Sequence, residues 1–278
     1  MNQLDPLRVQ PGKPIKLASI DPASIPGLST GKKPSKNGDA RTKAEAMLAE
    51  NRETLQKLQY RLWAENKRSL LLVMQGMDTS GKDGVVRHVI SGMNPEGCRV
   101  TSFKKPSEIE LDHDFLWRIH AACPAKGEIG VFNRSHYEDV LVVRVHNLVP
   151  EKFWRERYDL INAFERSLAA SGTVVVKIFL HISKDEQKER LLARLADPEK
   201  NWKFNAGDVA ERQKWDDYQR AYEDALSKCS TPESPWYVVP ADRKWYRNWA
   251  VSRILVDMLE AMDPKPPKGT FKAGQFKF

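Results

Sequence analysis

The chain has 278 residues, 41% of them hydrophobic and 29% charged, which suits one large or two small globular domains that fold without disulfides or a structural metal. Its net charge of +8 fits any polyanion, whether nucleic acid, acidic membrane or phosphorylated metabolite, and does not choose among them. Cys98, Cys123 and Cys229 are scattered, no signal-peptide core follows Met1, and the longest apolar runs are too short to cross a bilayer, so a cytoplasmic protein is expected.

Residues 1–42 carry six prolines, several glycines and no helical period, and read as an extended N-terminal arm or loop, free or wrapped on the core. From 43 to 67, Leu48, Leu55, Leu58 and Leu62 recur among charges at helical spacing, and this stripe reads as packing in a core or an oligomer. Ser69–Gln75 is almost wholly apolar and runs into a glycine-rich loop, as does a strand buried on both faces of a parallel sheet. Further strands are predicted at Arg99–Phe103, Gly127–Phe132, Thr173–His181 and Trp236–Val239, with helices between them, including 151–170 and 242–262. Ser107 with Glu110, and Ser183 with Glu186, have the spacing of capping boxes. Five short strands alternating with helices predict an α/β fold, a parallel sheet with helices on both faces. Residues 43–265 read as one domain, with a helical projection at roughly 184–220 and a basic tail at 266–278.

The loop Gly76-Met-Asp-Thr-Ser-Gly-Lys-Asp-Gly84 meets the pattern G-x4-G-K through Gly76, Gly81 and Lys82. Its glycines let backbone N–H groups curl around a phosphate, the following helix adds its positive end, and Lys82 adds a full charge. Asp83 stands where a P-loop usually has the Ser or Thr that holds Mg²⁺. Asp78 lies inside the loop, where a bare carboxylate repels phosphate but a metal-bound one does not, so Asp78 is the metal-ligand candidate.

The strand ending at Phe132 delivers Asn133-Arg134-Ser135-His136-Tyr137-Glu138-Asp139 to the edge of the sheet where α/β proteins bind ligands. Arg134 is read as a phosphate ligand; Asn133 and Ser135 serve equally well as ligands or as a helix cap. A base role for His136 is not expected, because phosphoryl transfer to a phosphate oxygen needs little base catalysis. Arg190 and Arg194 share a helix face, and Lys200, Lys203, Arg212 and Lys214 follow; the segment suits either a solvated charged face or a lid that closes on an anion. The aromatic stretch Trp236–Trp249 reads as a buried strand and a packing helix rather than a base-stacking surface.

These segments together, with Thr101-Ser-Phe-Lys-Lys-Pro106, His113-Asp-Phe-Leu-Trp-Arg118 and Asn201-Trp-Lys-Phe204, resemble the polyphosphate kinase 2 family over roughly residues 40–260. The resemblance implies a three-layer αβα P-loop domain similar to thymidylate kinase, with a helical lid. It implies reversible, Mg²⁺-dependent transfer of phosphate between inorganic polyphosphate and ADP or AMP, Mn²⁺ substituting, in a homodimer or homotetramer. Asp78, Lys82, Asn133, Arg134 and Arg194 would be catalytic. Phosphate or nucleotide would be held by Gly76, Thr79, Ser80, Gly81, Lys82, Asp83 and Gly84 of the loop. Arg87, Lys104, Tyr137, Glu138, Arg190 and Lys203 would add to that set. Asn133 with Glu138 is similar to the subgroup that accepts both AMP and ADP. No nucleic-acid or membrane partner is expected. The competing readings are an ATP-dependent kinase of a nucleotide or small metabolite, and a polyanion-binding P-loop protein that transfers nothing.

Overall fold

A computed structural model describes residues 4–28, 38–271 and 275. Its centre is a five-stranded sheet built from β1 (Ser69–Gln75), β2 (Cys98–Ser102), β3 (Ile129–Asn133), β4 (Thr173–His181) and β5 (Trp236–Pro240). The order is β2-β3-β1-β4-β5 and every pairing is parallel. β1 is the middle strand, and all seven of its residues are buried, which is why it reads as an unbroken apolar run.

The α-helices are α1 (Gly38–Glu65), α2 (Lys82–His88), α3 (Glu108–Leu111), α4 (Trp117–Ala122), α5 (Val142–Val145), α6 (Glu151–Ala170), α7 (Lys184–Ala196), α8 (Ala206–Gln213), α9 (Trp215–Lys228) and α10 (Lys244–Met262). α1 and α2 pack on α10, while α6 and α9 close round α5, so two helical layers cover the sheet. Leu55, Leu58 and Leu62 put the predicted stripe of α1 into the core. The Ser107–Glu110 capping box forms in full. At Ser183 only half of it forms, because Glu186 turns to Arg190 (2.7 Å).

Two helix starts change. α1 begins at Gly38 rather than 43, since residues 39–42 are helix-compatible and the next proline after Pro34 is Pro95. α10 begins at Lys244 rather than 242, because Asp242 Oδ1 accepts the Ser183 N–H (2.8 Å). The described part of the arm is wrapped on the core: Leu4, Leu7, Val9, Leu17 and Leu28 join the main cluster. There the arm caps the β5 edge, with Arg8 bridging Tyr237 and the Val9 N–H donating to the Trp236 carbonyl (2.9 Å). Residues 29–37, 272–274 and 276–278 lie outside the described residues. Among the described residues no helix is long and apolar enough to cross a membrane.

Candidate active site

The site grows from the carboxyl ends of β1 and β3, which lie side by side with Met74 opposite Asn133. β1 runs into the loop 76–84. Gly76 is at φ +154°, and a side chain there would strike the Ser80 hydroxyl and the Leu180 carbonyl. Gly81, at φ +104°, caps α2 and makes Lys82 its first residue. Lys82 is buried and its Nζ donates back to the Gly76 carbonyl (2.7 Å). Burial, and then the neighbouring Arg134, hold the Lys82 ammonium below the usual lysine range. The Thr79 and Ser80 hydroxyls are buried and have no hydrogen-bond partner among the described residues, which leaves two oxygen donors facing the loop.

β3 delivers the second half. Arg134, at φ +65°, donates to Asp78 Oδ1 at 2.8 Å and so ties the two strand ends together. Asn133 Nδ2 donates to Asp83 Oδ1, also at 2.8 Å. An amide suits that place; an aspartate would face Asp83 with like charge. Glu138 lies close to Arg134 and Lys82, and burial raises its carboxyl above the ordinary range against both cations.

The lid reaches the same point. Gln187 Nε2 donates to the Asp78 carbonyl (3.2 Å), and Arg194 pairs with Asp208 of α8 (3.3 Å). Burial, and then the charge of Asp78, raise the Asp208 carboxyl, so α8 brings a further carboxylate toward the loop. Among the described residues no three acidic, His or Cys side chains form a closed metal cage. Mg²⁺ needs none: it is held by one or two carboxylates and keeps its other ligands as water and substrate oxygens. Asp78, beside the two free hydroxyls, fits that donor set.

Two predicted ligands are corrected. Tyr137 is fully buried and its hydroxyl donates to Glu165 Oε1 (2.9 Å), beside Lys177 and His136, so it supports the 133–139 turn from beneath and does not reach a nucleotide. Arg190 spends its guanidinium on protein: Glu186, the carbonyls of Thr79 (2.9 Å) and Ser80 (3.2 Å), and those of Ala241 (2.6 Å) and Asp242 (3.0 Å). It shapes the loop and has no donor left for phosphate. Asp83 and Arg87 are exposed on α2. Lys104 is exposed beside a cleft of about 440 Å³, which Thr101, Phe103 and Arg118 also line, at the end of β2. The Lys203 side chain lies outside what the structure describes.

Sequence reasoning missed Gln187, Asp208 and Arg247. Arg247, on α10, is buried and donates to the Ser80 carbonyl (3.4 Å). None of the three belongs to a local pattern; only the folded chain brings them to the loop.

Comparison with known proteins adds an independent line. The family model described as polyphosphate kinase 2 matches residues 38–267. The AMP/ADP-polyphosphate phosphotransferase of Meiothermus ruber is 51% identical over 261 residues, covering 94% of each chain. The ADP-polyphosphate phosphotransferase of Rhodopseudomonas palustris is 52% identical over 230 residues, covering 78% of this chain and 80% of its own. A crystal structure of polyphosphate kinase 2 from Arthrobacter aurescens superposes with a TM-score of 0.91 at 45% identity, covering 98% of this chain and 94% of the other.

Proposed function

The chain belongs to the polyphosphate kinase 2 family, and from its site we propose that it transfers a phosphoryl group from inorganic polyphosphate to AMP and ADP. The observation that carries this reading is the meeting of Lys82, Asp78 and Arg134 at the ends of β1 and β3, under a lid that brings Arg194 and Asp208 to the same mouth.

A phosphate oxygen of the acceptor attacks the terminal phosphorus of the polymer. One P–O bond forms, the bridging P–O bond breaks, and the polymer leaves one unit shorter with the bond electrons on its new terminal oxygen. No proton need be removed from the attacking oxygen, which agrees with His136 being buried against Glu165. Lys82, Arg134 and the loop N–H groups bring two anions together and stabilise the charge that spreads over the transferred group. Mg²⁺, or Mn²⁺ in its place, would be held by Asp78 and would supply charge neutralisation between the phosphates. The bond made and the bond broken are both phosphoanhydrides, with AMP as with ADP as the acceptor, so the reaction runs in either direction. We assign the acceptor to the cleft beside Lys104, at the end of β2. The 51% identity to a protein named AMP/ADP-polyphosphate phosphotransferase supports the AMP- and ADP-accepting reading. A cytoplasmic homo-oligomer completes the proposal; the three free thiols fit a reducing compartment.

The test is product analysis with polyphosphate, Mg²⁺ and either AMP or ADP, and no ATP added. ADP and ATP should form from AMP, and ATP from ADP. No product from either, in a preparation that phosphorylates AMP with ATP, would replace this reading with that of an ATP-dependent kinase.

A further inference from the structure

Arg247 is a cation beside the phosphate loop whose situation the reaction as described leaves unexplained. It is 3% exposed. Its Nε and Nη2 donate to Asn248 Oδ1 (3.1 and 2.8 Å), and its Nη1 to the Ser80 carbonyl (3.4 Å). Among the described residues no carboxylate pairs with it, and the neighbouring charge it feels is that of Arg190, so burial together with that like charge lowers it to about 10. Arg243 is the N-cap of α10 and Lys244 its first residue, with no acidic residue in the first turn. A helix start loaded with cations works against its own dipole. A buried guanidinium without a counter-ion, beside a second arginine and a helix N-terminus, is a poor way to fill space, since an apolar side chain would pack there without desolvating a charge.

The glycines of the loop explain what the guanidinium does. A Cβ on Gly81 would lie 1.8 Å from Nη1, and one on Gly84 2.6 Å from Nη2. The guanidinium therefore lies directly against the backbone at the start of α2, on ground that only glycine leaves open. Arg190 reaches the Ser80 carbonyl as well (3.2 Å). In a trans peptide the C=O and the following N–H point in opposite directions. Two arginines on the Ser80 carbonyl thus turn the Gly81 N–H the other way, and among the described residues no backbone carbonyl accepts from it.

We propose that Arg247 is a positioning residue of the phosphate loop: with Arg190 it clamps the Ser80 carbonyl from behind, aims the Gly81 N–H at the phosphate, and adds a charge that only an anion in the loop compensates. The proposal rests on the loop being the phosphate site. It makes Gly84, like Gly81, a requirement of the clamp.

The test uses the full chain and a double-mutant cycle of Arg247→Lys and Gly84→Ala, read by kcat, by KM for AMP and for polyphosphate, and by the melting temperature with and without polyphosphate. Lysine keeps the charge but cannot hold the fork. Arg247→Lys should lower kcat by about ten- to a hundredfold, the order that a misplacement near an ångström costs. KM for AMP should stay within about twofold, since uniform binding is untouched. Gly84→Ala should displace the guanidinium and cause a similar loss alone, but add little in the Arg247→Lys background. The stabilisation of the protein by polyphosphate should shrink in both single variants. Near-normal kcat in Arg247→Lys, or losses that multiply in the double variant, would overturn the proposal. Should Arg247→Lys fail to fold, Gly84→Ala decides alone, because unchanged kcat in that variant is equally fatal. A wild-type protein that polyphosphate stabilises but that transfers nothing would sink the proposed reaction and leave the clamp to be judged by the stabilisation readout.

Discussion

Thr79 and Arg134 both hold positive φ, 66° and 65°, a conformation that costs a non-glycine residue of order 1–3 kcal/mol. Both sit where the loop and the β3 end meet. At Arg134 the compensation is visible: its N–H donates to the Met74 carbonyl (3.2 Å) and its guanidinium to Asp78. The ion pair gives Asp78 two candidate duties, to orient Arg134 and to hold Mg²⁺. Asp78→Asn separates them, because an amide still accepts from Arg134 but binds a hard cation poorly. We expect kcat to fall about a hundredfold, the order seen when one preorganised charge is removed, and the Mg²⁺ concentration for half-maximal activity to rise. A fall in kcat with an unchanged Mg²⁺ dependence would leave Asp78 with the orienting duty alone.

On α7, Gln187, Arg190 and Arg194 follow one another at spacings of three and four and so share a face. Gln187 and Arg190 bind that face to the loop at Asp78, Thr79 and Ser80, whereas Arg194, a turn further on, reaches Asp208 of α8. The helix is thus a fixed hinge side followed by a cationic end. Arg194→Ala should raise KM for polyphosphate about fivefold, the loss of roughly 1 kcal/mol expected of a partly exposed charge contact. KM for AMP should hardly move; equal rises in both would remove the lid role. The same helix shows where sequence reading stops. Its start at Ser183 was legible, because a capping pattern is local. The duty of Arg190 was not, since an i,i+4 pair of arginines looks alike whether it faces a polyanion or carbonyls 111 residues earlier in the chain. Tyr137 failed for a related reason: Ser-His-Tyr-Glu-Asp looks polar and exposed, and only the fold puts Glu165 and Lys177 beneath it. The loop itself was legible because strand, glycines, lysine and helix are contiguous.

At the scale of the whole molecule, acid should loosen the protein from two buried places at once. His136 lies under the active-site turn against Glu165, and His181 faces the Ile20 carbonyl where the arm crosses β4. Burial lowers both imidazoles below their ordinary 6.5, in spite of those acceptors. The unfolded chain therefore takes up protons that the folded one refuses. The stability each histidine contributes is complete above pH 6.5 and is lost as pH falls from there toward its lowered native value, by at most about 1.4 kcal/mol per pH unit for each group. Asp139, pushed up to about 6 by burial, and Glu138, raised likewise, act with the opposite sign further down, because the folded state binds their protons more tightly. The histidine effect is cleanest between pH 7 and 6. There the melting temperature of the wild type should fall as the pH is lowered, and His136→Gln, which keeps a polar partner for Glu165, should fall less steeply. Parallel curves for the two proteins would show that the folded state admits a proton at His136 after all.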